Sequence, residues 1–380
     1  MRDLPEISSP ESPRPAAPAA RRLLPAAFCL LLSAFCLPPT PASAASWSKQ
    51  KSGTFAWLHA VHFLDERRGW AGGGKGALLS TEDGGATWRA RRPPSEDAVL
   101  DIFFLDELNG WVVCERDFFR LKTKTEARSY LMRTGDGGRT WARVEAAGAD
   151  ADARLVGVRF AGRERGWVFG ELGALYATSD GGQTWARQPV PTRRLLLGAA
   201  FLGESRGWLV GAGATLLRTT DGGRTWHEGS VAGGLSQFAL RGRADRQARE
   251  EAEARRAGTT LSAPGAPSLR INAVAFADER RGWAVGAGGL VLKTADGGRT
   301  WHAQESGVES DLHDVKFLDE REGWAVGGGG TILRTADGGA TWRAETPVTP
   351  HTLERLFFAG RARGWAVGFG GTIVAFGEKR

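Results

Sequence analysis

The sequence predicts an all-β fold, a seven-bladed β-propeller of four-stranded antiparallel blades. Two recurring motifs carry this prediction. The dipeptide Gly-Trp occurs seven times, ending at Trp70, Trp111, Trp167, Trp208, Trp283, Trp324 and Trp365. The element T-x-D-G-G-x-T-W occurs six times, with its aspartate at Asp83, Asp136, Asp180, Asp221, Asp296 and Asp337. Both motifs most often repeat every 41 residues, and repeats of this length with four strands each are typical of propeller blades.

Each repeat is predicted to form four short strands. In the sixth repeat the segments LHDVKF, WAVG, TILRT and WRAE are separated by turns rich in Gly and Asp. Short runs of alternating apolar residues between such turns predict strands rather than helices. One four-stranded sheet cannot bury both of its faces alone, so the repeats are expected to stack around an axis.

The N-terminal strand is predicted to close the ring. The seventh repeat ends near Gly377 without a T-x-D-G-G-x-T-W element, and Trp47 lies 41 residues before Trp88. Ser46 and Trp47 therefore occupy the register of a fourth strand. This strand would complete the last blade and remove an open sheet edge. It also leaves Trp57 as the one tryptophan outside the repeating positions.

Residues 1–44 are predicted to be a signal peptide with a Pro- and Ala-rich leader, and residues 45–380 to be the propeller. Arg21 and Arg22 precede the apolar run Leu23–Leu37, and Ala42 and Ala44 fit cleavage after Ala44. The apolar run is shorter than a membrane span of about 20 residues. An exported protein is expected, located in the periplasm, in the thylakoid lumen if photosynthetic, or outside the cell. Its only remaining cysteine would be Cys114, so no internal disulfide is expected.

The T-x-D-G-G-x-T-W element has a structural interpretation. It lies between the third and fourth strands, where adjacent glycines permit a tight turn. The aspartate is expected to accept hydrogen bonds from turn amides and a threonine hydroxyl, and the tryptophan to pack flat against the next sheet. Calcium binding would need a denser cluster of oxygen ligands than one aspartate per turn.

This element is the Asp-box, or BNR repeat. Together with segments of the F-x-D-x-x-x-G-W-x-V-G type in the blades, it makes the chain similar to the photosystem II stability and assembly factor family of seven-bladed propellers. The resemblance runs from Ser46 to Arg380 apart from two insertions. It implies an exported protein without catalytic activity, which acts as a binding scaffold and chaperones a reaction-centre precursor during assembly.

An enzyme is the alternative, because sialidases and other carbohydrate-active propellers also carry Asp-boxes. A sialidase needs a tyrosine nucleophile, a supporting glutamate and an arginine cluster. The chain contains only Tyr130 and Tyr176, and Tyr176 replaces a leucine of the third-strand packing column. No enzymatic activity is therefore predicted. The six histidines show no metal-ligand spacing, so no metal or other cofactor is expected.

Two basic groups of residues are candidate docking surfaces for a protein or membrane-protein precursor, or for an anionic membrane surface. The net charge of +7 favours an acidic partner. Strand order places both insertions, near 115–130 and within 229–269, on the face that holds the second turns and the inter-blade connections. The insertion cluster comprises Arg116, Arg120, Lys122, Lys124, Arg128, Arg241, Arg243, Arg246 and Arg249. A helix from Asp245 to near Gly258 is predicted within the second insertion.

The opposite face offers a second candidate. The residue before Gly-Trp is an arginine in five blades, and this arginine ring comprises Arg68, Arg165, Arg206, Arg281 and Arg363. Such a ring suits an anionic partner, although solubilising turns that contact neighbouring acids are the favoured explanation. Nucleic acid is not expected as a partner, and a monomer is expected. On the inner strands, Asp314 and Arg355 are expected to form a structural ion pair or a small-ligand site beside the channel.

Overall fold

The computed structural model describes residues 45–117, 121, 126–144, 153–233, 235 and 269–378. These residues form seven sheets arranged as the blades of a propeller. The predicted signal peptide and the predicted helix from Asp245 to Gly258 lie outside this part of the chain. Within it, no helix has the length and apolar character needed to cross a bilayer.

Each blade is a meander of antiparallel strands that runs outward from the channel. The first three blades contain β2 (Leu58–Phe63), β3 (Gly69–Gly73), β4 (Leu78–Thr81) and β5 (Arg89–Ala90); β6 (Ala98–Phe104), β7 (Gly110–Glu115), β8 (Ser129–Thr134) and β9 (Ala142–Val144); and β10 (Leu155–Ala161), β11 (Arg165–Gly170), β12 (Leu175–Thr178) and β13 (Ala186–Arg187). The fourth and fifth contain β14 (Leu196–Leu202), β15 (Arg206–Gly211), β16 (Thr215–Thr219) and β17 (His227–Glu228); and β19 (Ile271–Phe276), β20 (Gly282–Gly286), β21 (Val291–Thr294) and β22 (Thr300–Gln304). The sixth contains β23 (Leu312–Phe317), β24 (Gly323–Gly327), β25 (Ile332–Thr335) and β26 (Arg343–Ala344).

The prediction that the N-terminal strand closes the ring is confirmed. The seventh sheet joins β1 (Ser46–Gln50) to β27 (Leu353–Phe358), β28 (Gly364–Gly368) and β29 (Thr372–Gly377). β1 pairs antiparallel with β29, and Trp47 lies opposite Phe376. The Trp47 side chain is 5% exposed and meets Trp324 edge-on at 5.6 Å between ring centroids. Both ends of the propeller thus meet in one blade.

The Gly-Trp motif has a packing role that links neighbouring blades. In blade 6, a Cβ atom on Gly323 would lie 2.4 Å from the Phe317 ring, so glycine makes room for that ring. On its other side, Phe317 stacks at 3.5 Å on Trp283 of the preceding blade. The Trp283 indole also donates a hydrogen bond to the Gly338 carbonyl, in the Asp-box of the next blade, at 2.9 Å.

The Asp-box tryptophan meets an aromatic ring of its own blade edge-on, and its flat packing against the next sheet stays a prediction. Trp342 meets Phe317 at 87°, edge to face, and the stacked partner of that ring is the Gly-Trp tryptophan of the preceding blade. Trp342 contacts the edge of the Phe317 ring because Trp283 and Gly323 already cover its two faces. Only the ring edge is left for Trp342.

The second insertion begins with an extra strand that the repeat pattern does not predict. Residues of β18 (Ser230–Ala232) pair in parallel with β22, so blade 5 has five strands. Val231 lies opposite Trp301 in this pairing. The insertion therefore leaves blade 4 along the outer rim of blade 5 rather than directly from a face.

The predicted division into two faces is confirmed by backbone hydrogen bonds. The Asp-box turn bonds to the first turn of its own blade, as in Gly338 N–H to Arg321 O at 2.8 Å. The second turn bonds to the following inter-blade connection, as in Gly371 N–H to Ala56 O at 2.8 Å. We name these the Asp-box face and the connection face.

Candidate docking surfaces

The Asp-box turns are occupied by their own hydrogen bonds. In blade 6, Asp337 accepts the Thr341 amide at 2.9 Å and the hydroxyls of Thr341 at 2.6 Å and Thr335 at 2.8 Å. These bonds lower the pKa of Asp337 to about 2, the Thr341 hydroxyl having the largest effect. The same arrangement recurs at Asp83, Asp136, Asp180 and Asp221. The predicted structural role of the element is confirmed, and its carboxylates have little capacity left for a ligand.

The arginine ring lies on the Asp-box face, where its members link adjacent blades. Arg68 pairs with Asp65 of its own turn and with Glu107 of the next blade. Arg281 pairs likewise with Asp278 and Glu320. The other ring residues differ: Arg206 pairs with Glu279 at 2.8 Å, Arg165 donates to the Gly222 carbonyl at 2.9 Å, and Arg363 holds the equivalent position in blade 7. Much of the positive charge of the ring is thus compensated within the protein.

Only two residues of the insertion cluster lie in the described part of the chain. The others, outside it, are Arg120, Lys122, Lys124, Arg241, Arg243, Arg246 and Arg249. Arg116 donates to the Ala127 carbonyl at 2.9 Å and lies over the Tyr130 ring. Arg128 pairs with Glu115 at 3.6 Å and with Glu171, in the second turn of blade 3, at 3.5 Å. These contacts place both arginines on the connection face, beside acidic neighbours.

The residues considered as nucleophiles are held in structural contacts. Tyr176 is 1% exposed and belongs to a hydrophobic cluster. The Tyr130 hydroxyl bonds to Asp97 at 2.6 Å and to Ser95 at 2.8 Å. Burial, and then the bond to Asp97, raises the pKa of Tyr130. Burial also raises the pKa of the Cys114 thiol to about 12, so the reactive thiolate is strongly disfavoured.

The predicted ion pair between Asp314 and Arg355 is wrong. Asp314 accepts the Leu356 amide of the next blade at 2.9 Å and pairs with Lys316 at 3.5 Å. Asp101 at the equivalent position does the same for Val158, so this aspartate joins inner strands of adjacent blades. Arg355 instead donates to the Glu354 carbonyl at 3.0 Å, and no carboxylate of the described residues lies within ion-pair distance of it.

The connection face also carries an aromatic surface that the sequence analysis missed. Phe55, Trp57 and Phe369 lie where blade 7 meets blade 1 and are 95%, 42% and 47% exposed. We name these three residues the seam patch. The available signal was Trp57, the one tryptophan outside the repeating positions. Phe55 and Phe369 gave no such signal, because their neighbourhood depends on ring closure.

The fold and its two surfaces define a class, the closed Asp-box propellers, rather than one protein. A family model described as photosynthesis system II assembly factor YCF48 matches residues 92–195, 184–241 and 306–377, more than half of the chain. The chain belongs to this family. No curated protein matches it.

Solved structures show the same fold. A structure described as YCF48 bound to D1 peptide is 19% identical with a TM-score of 0.64, covering 88% of this chain and 97% of that one. YCF48 from Cyanidioschyzon merolae is 21% identical with a TM-score of 0.65, covering 88% and 99%. The GH74 xyloglucanase from Xanthomonas campestris is 14% identical with a TM-score of 0.58, covering 86% of this chain and 53% of that one. At these identities the likeness concerns the fold alone.

Proposed function

We propose that the protein is an exported, non-catalytic binding scaffold of the assembly-factor type, which docks a protein partner on its connection face. The observation that carries the proposal is family membership over more than half of the chain. A structural relative in the same family is described as bound to D1 peptide, which favours a polypeptide partner. The proposal concerns binding and does not require that the client be a photosystem.

The side-chain chemistry supports a scaffold over an enzyme. The Asp-box carboxylates are used by turn hydrogen bonds, Tyr176 is enclosed in the core, and Tyr130 is tied to Asp97. Among the residues that the structure describes, no group of three or more His, Cys, Asp or Glu is arranged to hold a metal ion. The carbohydrate-active alternative rests on fold likeness to proteins such as the xyloglucanase, and no specific residue favours it.

Export is the second part of the proposal, and it rests on the N-terminal sequence. The basic pair Arg21 and Arg22, the apolar run Leu23–Leu37 and the small residues up to Ala44 match a secretory signal peptide. N-terminal sequencing of the protein isolated from the cell envelope should find Ala45 at the new terminus. Recovery of the intact chain from the cytoplasm would contradict export.

The binding role can be tested by photo-crosslinking in cells. A benzoylphenylalanine placed at Phe55 on the connection face replaces a fully exposed ring. The matched control is the same residue at Leu108, which is 56% exposed in the first turn of blade 2 on the Asp-box face. A discrete adduct with a polypeptide from position 55, but not from 108, is expected. Absence of adducts from both faces would contradict a stable partner.

A further inference from the structure

The seam patch contains a pair of contacting aromatic rings and a third, fully exposed one. Trp57 meets Phe369 edge to face, with ring centroids 5.3 Å apart, and lies 5.4 Å from the His59 ring. His351 lies edge-on to Phe369 at 5.7 Å. The patch therefore spans the connection between blades 7 and 1 and the second turn of blade 7, and it contacts His351 at the end of the preceding connection. Exposed aromatic clusters of this kind mark interaction sites in soluble proteins.

The other blades provide an internal control, because the same backbone positions carry different side chains there. At the position of Phe55 the described connections carry Glu96, Arg193, Glu309 and Pro350. At the position of Trp57 they carry Ala98, Arg154, Leu195, Arg270, Asp311 and Thr352. The second turns place Gly74, Glu171, Ala287 and Gly328 where blade 7 has Phe369. The propeller thus forms this backbone without aromatic residues, so the fold does not require the seam patch.

The backbone beneath the patch is fixed by hydrogen bonds. Thr54 Oγ1 accepts the Ala56 amide at 3.1 Å, and the Ala56 carbonyl accepts the Gly371 amide at 2.8 Å. A Cβ atom on Gly371 would lie 1.8 Å from the Thr54 carbonyl oxygen, so the two segments are in close contact. Phe55 is therefore presented on an ordered turn, which reduces the entropy lost when a partner binds.

A cation that lacks an ion-pair partner among the described residues, Arg355, lies on β27, the inner strand of the blade that carries Phe369. It follows three residues after Thr352, whose carbonyl oxygen accepts the Phe369 amide at 3.0 Å. Arg159 and Lys316 in the channel pair with Asp101 and Asp314, whereas Arg355 donates to the Glu354 carbonyl. Its remaining N–H groups can donate to an incoming carboxylate. The exposed Lys51 adds positive charge at the same connection.

We propose that the seam patch, with Arg355 beside it, binds an extended polypeptide segment that carries a large apolar side chain next to a carboxylate. The inference rests on the proposed binding function and assigns it a site and a partner chemistry. The apolar side chain packs against Trp57 and Phe369, and the carboxylate accepts from Arg355. The Glu354 carboxylate can accept a backbone N–H of the same segment.

A polypeptide fits this surface better than a bilayer or a sugar. Phe55 projects fully, whereas Trp57 and Phe369 are about half covered, and the charged residues Glu354 and Arg355 follow on the strand that begins where the Phe369 amide is bound. Insertion into lipid would have to desolvate those charges. The nearly perpendicular rings of Trp57 and Phe369 form a corner suited to a side chain rather than a flat platform for a pyranose.

The test uses fluorescein-labelled peptides with the sequence Gly-Ser-Phe-Asp-Ser-Gly, and matched peptides with Phe replaced by Ala or Asp by Lys. Anisotropy titration of the wild-type protein should show at least about fivefold tighter binding of the Phe-Asp peptide than of either matched peptide. This ratio corresponds to about 1 kcal/mol, a loss that removal of an aromatic or charged anchor commonly exceeds. Combined Trp57→Ala and Phe369→Ala should remove that preference. Arg355→Ala should remove discrimination between Asp and Lys while leaving discrimination between Phe and Ala.

The control is Leu108→Ala, which removes an exposed apolar side chain from the opposite face and should leave every affinity unchanged. Unchanged melting temperatures establish that the variants fold. The inference would be overturned if the Phe-Asp peptide bound the wild-type and double-variant proteins with equal affinity. It would also be overturned if the patch bound only phosphatidylglycerol vesicles or only xyloglucan oligosaccharides. If crosslinks form at position 55 but peptide binding does not depend on the seam patch, the inference is wrong and the proposed binding function stands. If neither crosslinks nor patch-dependent peptide binding are found, both the inference and the proposed binding function are wrong.

Discussion

Replacing Trp47 by Ala should destabilise the propeller by about 3–5 kcal/mol, the usual cost of truncating a buried tryptophan. Trp47 is 5% exposed and contacts three rings of the closure blade and its neighbour, those of Trp324, Phe358 and Phe376. At about 2.1 cal/mol/K per residue, the entropy of unfolding of the unit Ser43–Arg380 is roughly 0.7 kcal/mol/K. The melting temperature should therefore fall by about 4–7 °C.

Circular dichroism or calorimetry measures this shift, and Trp57→Ala is the matched control. Trp57 is 42% exposed and lies outside the sheets, so its loss should lower the melting temperature by less than about 2 °C. Deletion of Ser46–Gln50 should be more severe, because it also removes the whole pairing with β29 and exposes a sheet edge that promotes aggregation. Equal melting temperatures for the two tryptophan variants, with a monomeric and equally stable deletion variant, would refute closure by the N-terminal strand.

Three further predictions concern the turns, the chemistry and the charged surfaces. Because hydrogen bonds lower the pKa of Asp337 to about 2 from 3.8, the stability that its carboxylate contributes is complete above about pH 4 and is lost as the pH falls toward 2. Asp337→Asn should therefore lower the melting temperature at pH 7 and lower it much less at pH 2. The control Glu305→Gln, at an exposed position, should show no such dependence on pH. Hydrolysis of sialosides and of plant and bacterial glycans should stay at background for the wild type and for Tyr130→Phe and Tyr176→Phe, and robust wild-type turnover would contradict a scaffold. Charge reversal of the insertion cluster should weaken partner binding in a salt-dependent way without changing the fold. The same reversal of the arginine ring should leave partner binding unchanged. If reversal of the ring weakens binding and reversal of the insertion cluster does not, the docking surface is the Asp-box face.

The blade pattern could be predicted because local chemistry repeats at a fixed spacing. The glycine of Gly-Trp, the Asp-box turn and the alternating strands are each explained by contacts within a single repeat. Ring closure could be predicted as well, because Trp47 lies one repeat length before Trp88. Its strand therefore has the register of a fourth strand, although the strand that it pairs with, β29, is at the other end of the chain. The hydrogen bonds of Asp337 were predictable for the same reason, because all of its partners lie within four residues.

Features that depend on contacts between repeats could not be predicted in this way. The stacking of Trp283 on Phe317 and the hydrogen bond from the Leu356 amide to Asp314 each join two blades. The sequence does not show how far one blade is shifted relative to the next. The pairing of β18 with β22 falls in an insertion that has no repeat register. The seam patch brings Trp57 and Phe369 together from opposite ends of the propeller, so it exists only once the ring is closed.

The central claim is that a polypeptide partner docks on the connection face at the closure seam. Hydrogen–deuterium exchange of the protein, free and bound to the partner captured by crosslinking, tests it most directly. Slower exchange in the complex is expected in the Lys51–Leu58 connection and the Phe369–Gly371 turn, with the Asp-box turns unchanged. Protection confined to the Asp-box face, for example around Arg68 and Arg281, would contradict the account and assign docking to the arginine ring.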